Sequence, residues 1–325
     1  MAGGQERILR RRIRSVESTK KITRAMELIA ATRVVKAQDR AASARPYAEE
    51  ITAVILDLVA AGASRESALL QSYPEARRSA FVVITSDRGL CGAYNSTVIR
   101  NAEREIDARV AEGLDYALFV VGKKAQSYFR FRGYAIEESF LGVTDQPSYD
   151  DARRIAEVIR PRFEAGEFLD VFLVYWRFKS AGSQEPVIRQ FLPLQVDVDD
   201  APTGPTAQLE YEPDPTTILS ELLPRYVESR IYSALLDASA SEHAARQKAM
   251  KAATDNAEEL KITLTRIMNR ARQDAITTEI MEIVGGAEAL KKDSEDDEDI
   301  LPDLLVPRHL FEQHLDPTNT APTRH

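Results

Sequence analysis

The chain has 325 residues, of which 44% are hydrophobic and 29% charged, with a formal net charge of −8 and one cysteine, Cys91. This composition excludes a disordered chain and leaves room for about two domains, or one domain with extended helices. It also excludes an intrachain disulfide, points to a reducing cytosol, and argues against nucleic acid as the main partner.

No apolar run reaches the roughly 18 to 20 residues of a membrane span, and the start, MAGGQERILRRRIRS, lacks the apolar centre of a secretory signal. Charge is unevenly placed. The first fifty residues carry twice as many Lys and Arg as Asp and Glu, and Asp293 to Asp299 holds six acids in seven positions.

Residues 1–62 read as a long N-terminal helix. Leu9, Ile13, Val16, Ile22, Met26 and Ile29, then Ile51, Ile55 and Leu58, form a narrow apolar stripe padded with Ala and Thr, as a two-helix seam requires. Pro46 is expected to kink this helix or to cost it one backbone bond, and Gly62 to end it. Residues 75–215 change texture. Short β-branched runs, Ala80–Thr85, Tyr116–Gly122 and Asp170–Trp176, predict buried strands. Weaker runs predict strands near Ala135–Phe140 and over Ile188–Val196, where Pro193 implies an edge or a bulge. Helices are predicted over Ser96–Glu112, from Lys123 towards Arg132, and over Tyr149–Ala165. Such alternation is the pattern of a small, doubly wound, mainly parallel α/β domain. The Pro- and Asp-rich connector Asp197–Pro215 closes it.

Residues 216–290 predict a second long helix, capped by Thr216 or Thr217. Ser241–Leu290 has no proline, and no glycine before Gly285-Gly286, while helix formers fill most of it. Two helices leaving opposite edges of one domain pair most simply as an antiparallel coiled coil. Level ends imply that paired positions sum to about 275, which leaves on the order of 25 Å of the second helix unpaired. Ile276, Ile280, Met281, Ile283 and Val284 are apolar round more than one face of that end, so it calls for a sleeve supplied by other chains. Residues 291–325 read as an acidic, Pro-punctuated, disordered tail in which Ile300, Leu301, Leu304, Leu305 and Val306 offer a short apolar docking motif.

The glycine-rich turn SDRGLCGAYN follows the first strand. It lacks both GxGxxG and GxxxxGK[ST], so nucleotide binding is not expected there. Cys91 reads as a buried or half-buried structural thiol. His243, His309, His314 and His325 make no metal or catalytic constellation, and no cofactor, metal or catalytic residue is predicted.

Taken together, LRRRIRSVESTKKITRAMELIAATRVVKAQ, SDRGLCGAYN and ASEHAARQKAMKAATDNAEEL…NRARQDAITTEIMEIVGGAEAL resemble the gamma-subunit family of F-type ATP synthases. The three motifs lie in the family's order and span most of Ile8–Leu290. The resemblance implies a non-catalytic central rotor shaft. Its partners would be a hexamer of alpha and beta subunits, an epsilon subunit and the membrane ring of c subunits. It also implies a peripheral position on the cytoplasmic face of a bacterial plasma membrane, with membrane contact only through the c-ring.

The basic residues of the first helix, Arg10, Lys20, Lys21 and Arg24 among them, read either as a solvated face or, with the resemblance, as a charged track meeting acidic levers on beta subunits. Met26 suits seam packing and that lever contact equally. The resemblance further implies that Asp87, Arg88, Gly89, Leu90, Cys91 and Gly92 form a turn facing a beta subunit. By the same resemblance, Arg272, Gln273 and Thr277 hydrogen-bond to loops of surrounding subunits, and Ile280 and Ile283 belong to the bearing end. Two other classes compete: an α/β enzyme with coiled-coil oligomerisation arms, and a scaffold whose basic helix meets nucleic acid or anionic membrane. The tail reads either as an appendage that tunes hydrolysis or assembly, or as inert.

Overall fold

A computed structural model describes residues 2–61, 63, 67–194 and 212–298. Gly62, most of the connector and the docking motif of the tail lie outside the described residues. The chain divides into two compact units, Ile13–Ile262 on the one hand and Met1–Arg12 with Thr263–His325 on the other.

The first unit holds a five-stranded sheet in the order β3-β2-β1-β4-β5. β1 (Arg78–Ile84), β2 (Asp115–Val121), β3 (Ile136–Phe140) and β4 (Asp170–Phe178) are parallel, and β5 (Gln184–Leu192) runs antiparallel on β4. β1 is central and reads as an unbroken apolar run because both its faces are covered. Ala80, Val82 and Ile84 point into one core; Phe81 and Val83 point into the other. On that second face lie α2 (Tyr94–Ala111) and α3 (Lys123–Arg132). The first face is covered by α4 (Tyr149–Glu164) and by stretches of the two long helices, α1 (Ala2–Ala60) and α5 (Pro215–Glu298). Ile55 and Leu58 of α1 and Leu219, Leu223, Val227 and Ile231 of α5 are all at most 2% exposed in this core, each contributing about 1.5 to 3 kcal/mol by leaving water.

Several predicted boundaries shift, for identifiable reasons. α1 continues through Pro46, because Ile51, Ile55 and Leu58 beyond it are held in the core and offset the lost backbone bond. α5 starts at Pro215, and its cap is Asp214 rather than either threonine. One Asp214 oxygen accepts from the amides of Thr216 and Thr217, both at 3.0 Å, and the other accepts from the Thr217 hydroxyl at 2.6 Å. β5 begins four residues earlier than predicted, at Gln184, because a polar edge strand carries little apolar signal. It ends at Leu192, before the cis Leu192–Pro193 bond. α5 also runs through Gly285-Gly286 and past Leu290 to Glu298, so the segment predicted as a disordered tail begins as helix.

Within the first unit α1 and α5 pair antiparallel. Lys20 bonds Glu258, the Lys261 ammonium lies 2.9 Å from Glu17, and the hydroxyls of Thr23 and Thr254 lie 2.8 Å apart at the buried seam. This register lies slightly past the one implied by level ends. Ala30, Val34 and Ala37 of α1 and Ala257 of α5 are buried in a thin, Ala-padded seam, whereas Ile22 and Ile29, predicted for the apolar stripe, are 58% and 55% exposed.

The second unit contains the opening turns of α1 and the stretch of α5 from Thr263 onward. Ile276, Ile280, Met281, Ile283, Val284 and Leu290 are each at least half exposed, Ile283 at 71% and Leu290 at 72%. The apolar excess predicted for this end is real, and nothing within the described residues covers it.

Candidate functional site

Three surfaces carry the predicted contact residues: the basic stretch of α1, the turn after β1, and the end of α5.

On α1, Arg10 pairs with Glu6 one helical turn away at 2.6 Å, and Arg24 reaches both oxygens of Glu27 at 2.9 and 3.0 Å. Both are exposed, pre-oriented pairs of modest worth. Lys21 is exposed and Met26 is half-buried. Lys20, predicted as part of an outward track, is half-buried and bonds Glu258 across the seam, because the pairing register sets that carboxylate opposite it. The Lys20 hydrogen bond holds the Glu258 carboxyl below its usual range.

The turn after β1 is built by an unusual backbone. Leu90 has φ 63° and Gly92 φ 59°. For glycine the left-handed region is free, whereas for leucine it costs about 1 to 2 kcal/mol. The strained residue is also the one that projects, since Leu90 is 61% exposed while Cys91 is buried. Arg88 is exposed as well.

Asp87 differs from expectation: it faces inward. One of its oxygens accepts from the Lys123 amide at 3.1 Å, and the other from the Thr144 hydroxyl at 3.2 Å. It therefore clamps the turn to the start of α3 and to the loop before α4. Ser86, Asn95 and Cys91 complete the clamp: the Asn95 amide nitrogen donates to the Ser86 hydroxyl at 2.8 Å and to the Cys91 sulfur at 3.1 Å. Burial raises the Cys91 thiol, in keeping with a structural rather than reactive group.

The residues that anchor this turn to α5 escape a reading of the sequence. Arg246 donates through Nε and Nη2 to the Gly89 carbonyl, both at 3.3 Å, and through Nη2 to Glu242 at 2.7 Å. Glu242, His243 and Arg246 are all buried. His243 lies 3.3 Å from the Asp145 carbonyl oxygen, and Ser239 donates to the same oxygen, also at 3.3 Å. The Asp145 carboxylate receives Arg33 from α1. Burial alone would raise that carboxyl, but the Arg33 bond holds it below its ordinary value. Burial raises Glu242 to about 7 against the pull of Arg246, and burial lowers His243 to about 4. The turn, the loop at Asp145, α1 and α5 are thus joined at one buried polar junction. The spacing of Glu242 and Arg246, four apart on a helix, was the available signal, although such pairs more commonly face solvent.

On the end of α5, Arg272, Gln273, Thr277, Ile280 and Ile283 are all exposed. The Thr277 hydroxyl donates to the Gln273 carbonyl at 3.0 Å. This surface offers apolar area, a guanidinium and an amide to a partner, and contains no group arranged for bond chemistry.

Comparison with known proteins accords with this arrangement. A family model described as ATP synthase matches residues 5–290. The ATP synthase gamma chain of Frankia casuarinae is 53% identical over 293 residues, covering 88% of this chain and 98% of that relative. That of Mycolicibacterium smegmatis is 46% identical over 299 residues, covering 87% and 97%. Among solved structures, a central stalk and c-ring structure from the mitochondrial ATP synthase of Tetrahymena thermophila aligns with TM-score 0.53 at 26% identity, covering 71% of this chain and 99% of that one. A chain of the Euglena gracilis mitochondrial ATP synthase shares the fold with TM-score 0.64 at 18% identity, covering 95% and 99%. This chain belongs to the ATP synthase gamma-chain family, the central-stalk subunit of that enzyme.

Proposed function

We propose that the chain is the rotor shaft of a proton-driven ATP synthase on the cytoplasmic face of a bacterial plasma membrane. In this role it passes torque between a membrane c-ring and a catalytic hexamer of alpha and beta subunits, with an epsilon subunit at its foot, and makes no bond itself. The observation that carries this reading is the end of α5, where Ile276, Ile280, Ile283 and Leu290 stand in solvent on a single helix. Such a surface is stable only inside a sleeve of other chains. A greasy end with no ion pair among its described residues can turn within that sleeve, because apolar contacts are non-directional and re-form at each angle. Arg272 and Gln273, just before it, supply donors for hydrogen bonds that hold one orientation at a time.

Arg88 and Leu90 at the rigid turn form the second contact, facing one beta subunit in each dwell. Because the hexamer offers three equivalent partners in succession, the turn must be stiff and its contacts separable. The clamp of Asp87, Thr144, Asn95 and Arg246 supplies the stiffness. The expected result of co-expression with alpha and beta subunits is a stable complex whose ATP hydrolysis stops when a disulfide locks the end of α5 to beta and resumes on reduction. Full hydrolysis in the locked state would refute the shaft reading.

A further inference from the structure

A cavity of about 870 Å³ opens between α1, the β4–β5 edge of the sheet and α5, all within the unit Ile13–Ile262. This lies within the roughly 300 to 1,000 Å³ of small-molecule sites. Its walls carry Arg45 from α1, Arg177 from β4, Lys179 just after it, Arg189 from β5 and Arg230 from α5, against only Glu49 and Asp237. Lys179 is neutralised by Glu185. Arg45, Arg177, Arg189 and Arg230 form no ion pair among the described residues. Like charges converging from four separate elements repel one another, and folding has nonetheless brought them together. The pressure is visible at Arg230, which is half-buried with its guanidinium 5.7 Å from the centre of the Tyr226 ring. Burial lowers its proton affinity, and Arg189 and Arg177 lower it further. Asp237 offsets only part of this charge: burial raises its carboxyl to about 6 against the pull of Arg177 and Arg45, which leaves it mostly ionised at neutral pH as a single carboxylate among several guanidiniums.

From this convergence we infer that the cavity is a binding site for a multiply charged, phosphate-bearing small anion, gripped by Arg177, Arg189 and Arg230. Guanidinium forks match the oxygens of a phosphoryl group, and three from different directions suit a di- or triphosphate chain better than a single carboxylate. The site is separate from the turn after β1 and from the end of α5. Bound anion would tie β4, β5 and α5 together at the domain's edge, so it would stiffen the body of the shaft without touching either partner surface.

The test is titration calorimetry of the full chain with tripolyphosphate at low salt, with inorganic phosphate and ATP as further arms. The expected result is one saturable site for tripolyphosphate, about tenfold or more weaker in R230Q and in R189Q, as loss of one charged fork implies. D237N, which removes an opposing carboxylate, is expected to tighten binding several-fold. R189Q alters an exposed side chain, so it remains informative if R230Q fails to fold. Tripolyphosphate binding with phosphate and ATP both weak identifies a bare polyphosphate chain. Equal binding of ATP identifies a nucleotide tail. No saturable binding by the unaltered chain, or binding that R189Q and D237N leave unchanged, overturns the inference.

Discussion

Arg246 and Gly89, 157 positions apart, are joined by two guanidinium hydrogen bonds at 3.3 Å, and the same guanidinium holds Glu242 at 2.7 Å. One side chain thereby ties the turn that follows β1 to the helix that forms the shaft. R246A should destabilise the full chain by about 3 to 5 kcal/mol, because it leaves the Glu242 carboxyl buried without its partner. R246K should recover only part of this, since an ammonium cannot reproduce the fork. Urea unfolding measures both, and a loss below about 1 kcal/mol for R246A would show that the junction matters little.

The same junction makes stability depend on pH in two opposed ways. Glu242, raised to about 7 from an ordinary 4.5, favours its protonated form in the folded chain. Its contribution is full below about pH 4.5 and is lost as pH rises to 7. His243, lowered to about 4 from 6.5, favours its neutral form. Its contribution is full above pH 6.5 and is lost as pH falls to 4. E242Q should therefore make the slope of unfolding free energy between pH 4.5 and 6.5 more positive than in the unaltered chain, and H243Q should make it more negative. Denaturation series at five pH values test this; slopes that do not move, or that move the other way, contradict it.

Leu90 separates stability from contact. L90G relieves a left-handed backbone that costs leucine about 1 to 2 kcal/mol, so the isolated chain should unfold at equal or higher denaturant. The assembled enzyme should nonetheless hydrolyse ATP more slowly, because the projecting side chain is gone. Unchanged turnover would mean that the strain at Leu90 serves no partner.

At the end of α5, I280D and I283D should change the stability of the isolated chain by no more than about 0.5 kcal/mol, since both positions are exposed. Together they should prevent recovery of a complex with alpha and beta subunits on size exclusion. Normal assembly would place the bearing elsewhere.

Much of this was written plainly in the sequence. The buried strands announce themselves as Phe81-Val82-Val83-Ile84 and Phe172-Leu173-Val174, because a parallel strand covered on both faces has no polar positions to blur it. The exposed end of α5 follows from the unequal lengths of the two helices and the apolar excess after Gln273. Features that depend on distant partners were harder to read. Lys20 belongs to the seam only because Glu258 lies opposite it, and Asp87 turns inward only because Thr144 and the Lys123 amide wait for it. Glu242 and Arg246 look like an ordinary surface pair until the turn at Gly89 covers them. Asp214 displaced the threonines as a cap because Pro215 already fixes the first helical position.

The seam between Thr23 and Thr254 has a consequence for how the chain is made. The two residues are 231 positions apart, and Ile51, Ile55 and Leu58 of α1 share a core with Leu219, Leu223, Val227 and Ile231 of α5. At about 5 to 20 residues per second, α1 leaves the ribosome roughly ten to fifty seconds before its partner exists. During that interval Val34, Ile55 and Leu58 have nothing native to pack on from α5. Stopping synthesis before α5 therefore removes Leu219, Leu223, Val227 and Ile231 from the cover of the sheet's first face, and a fragment that ends at the connector should be captured by chaperones rather than persist as a folded domain.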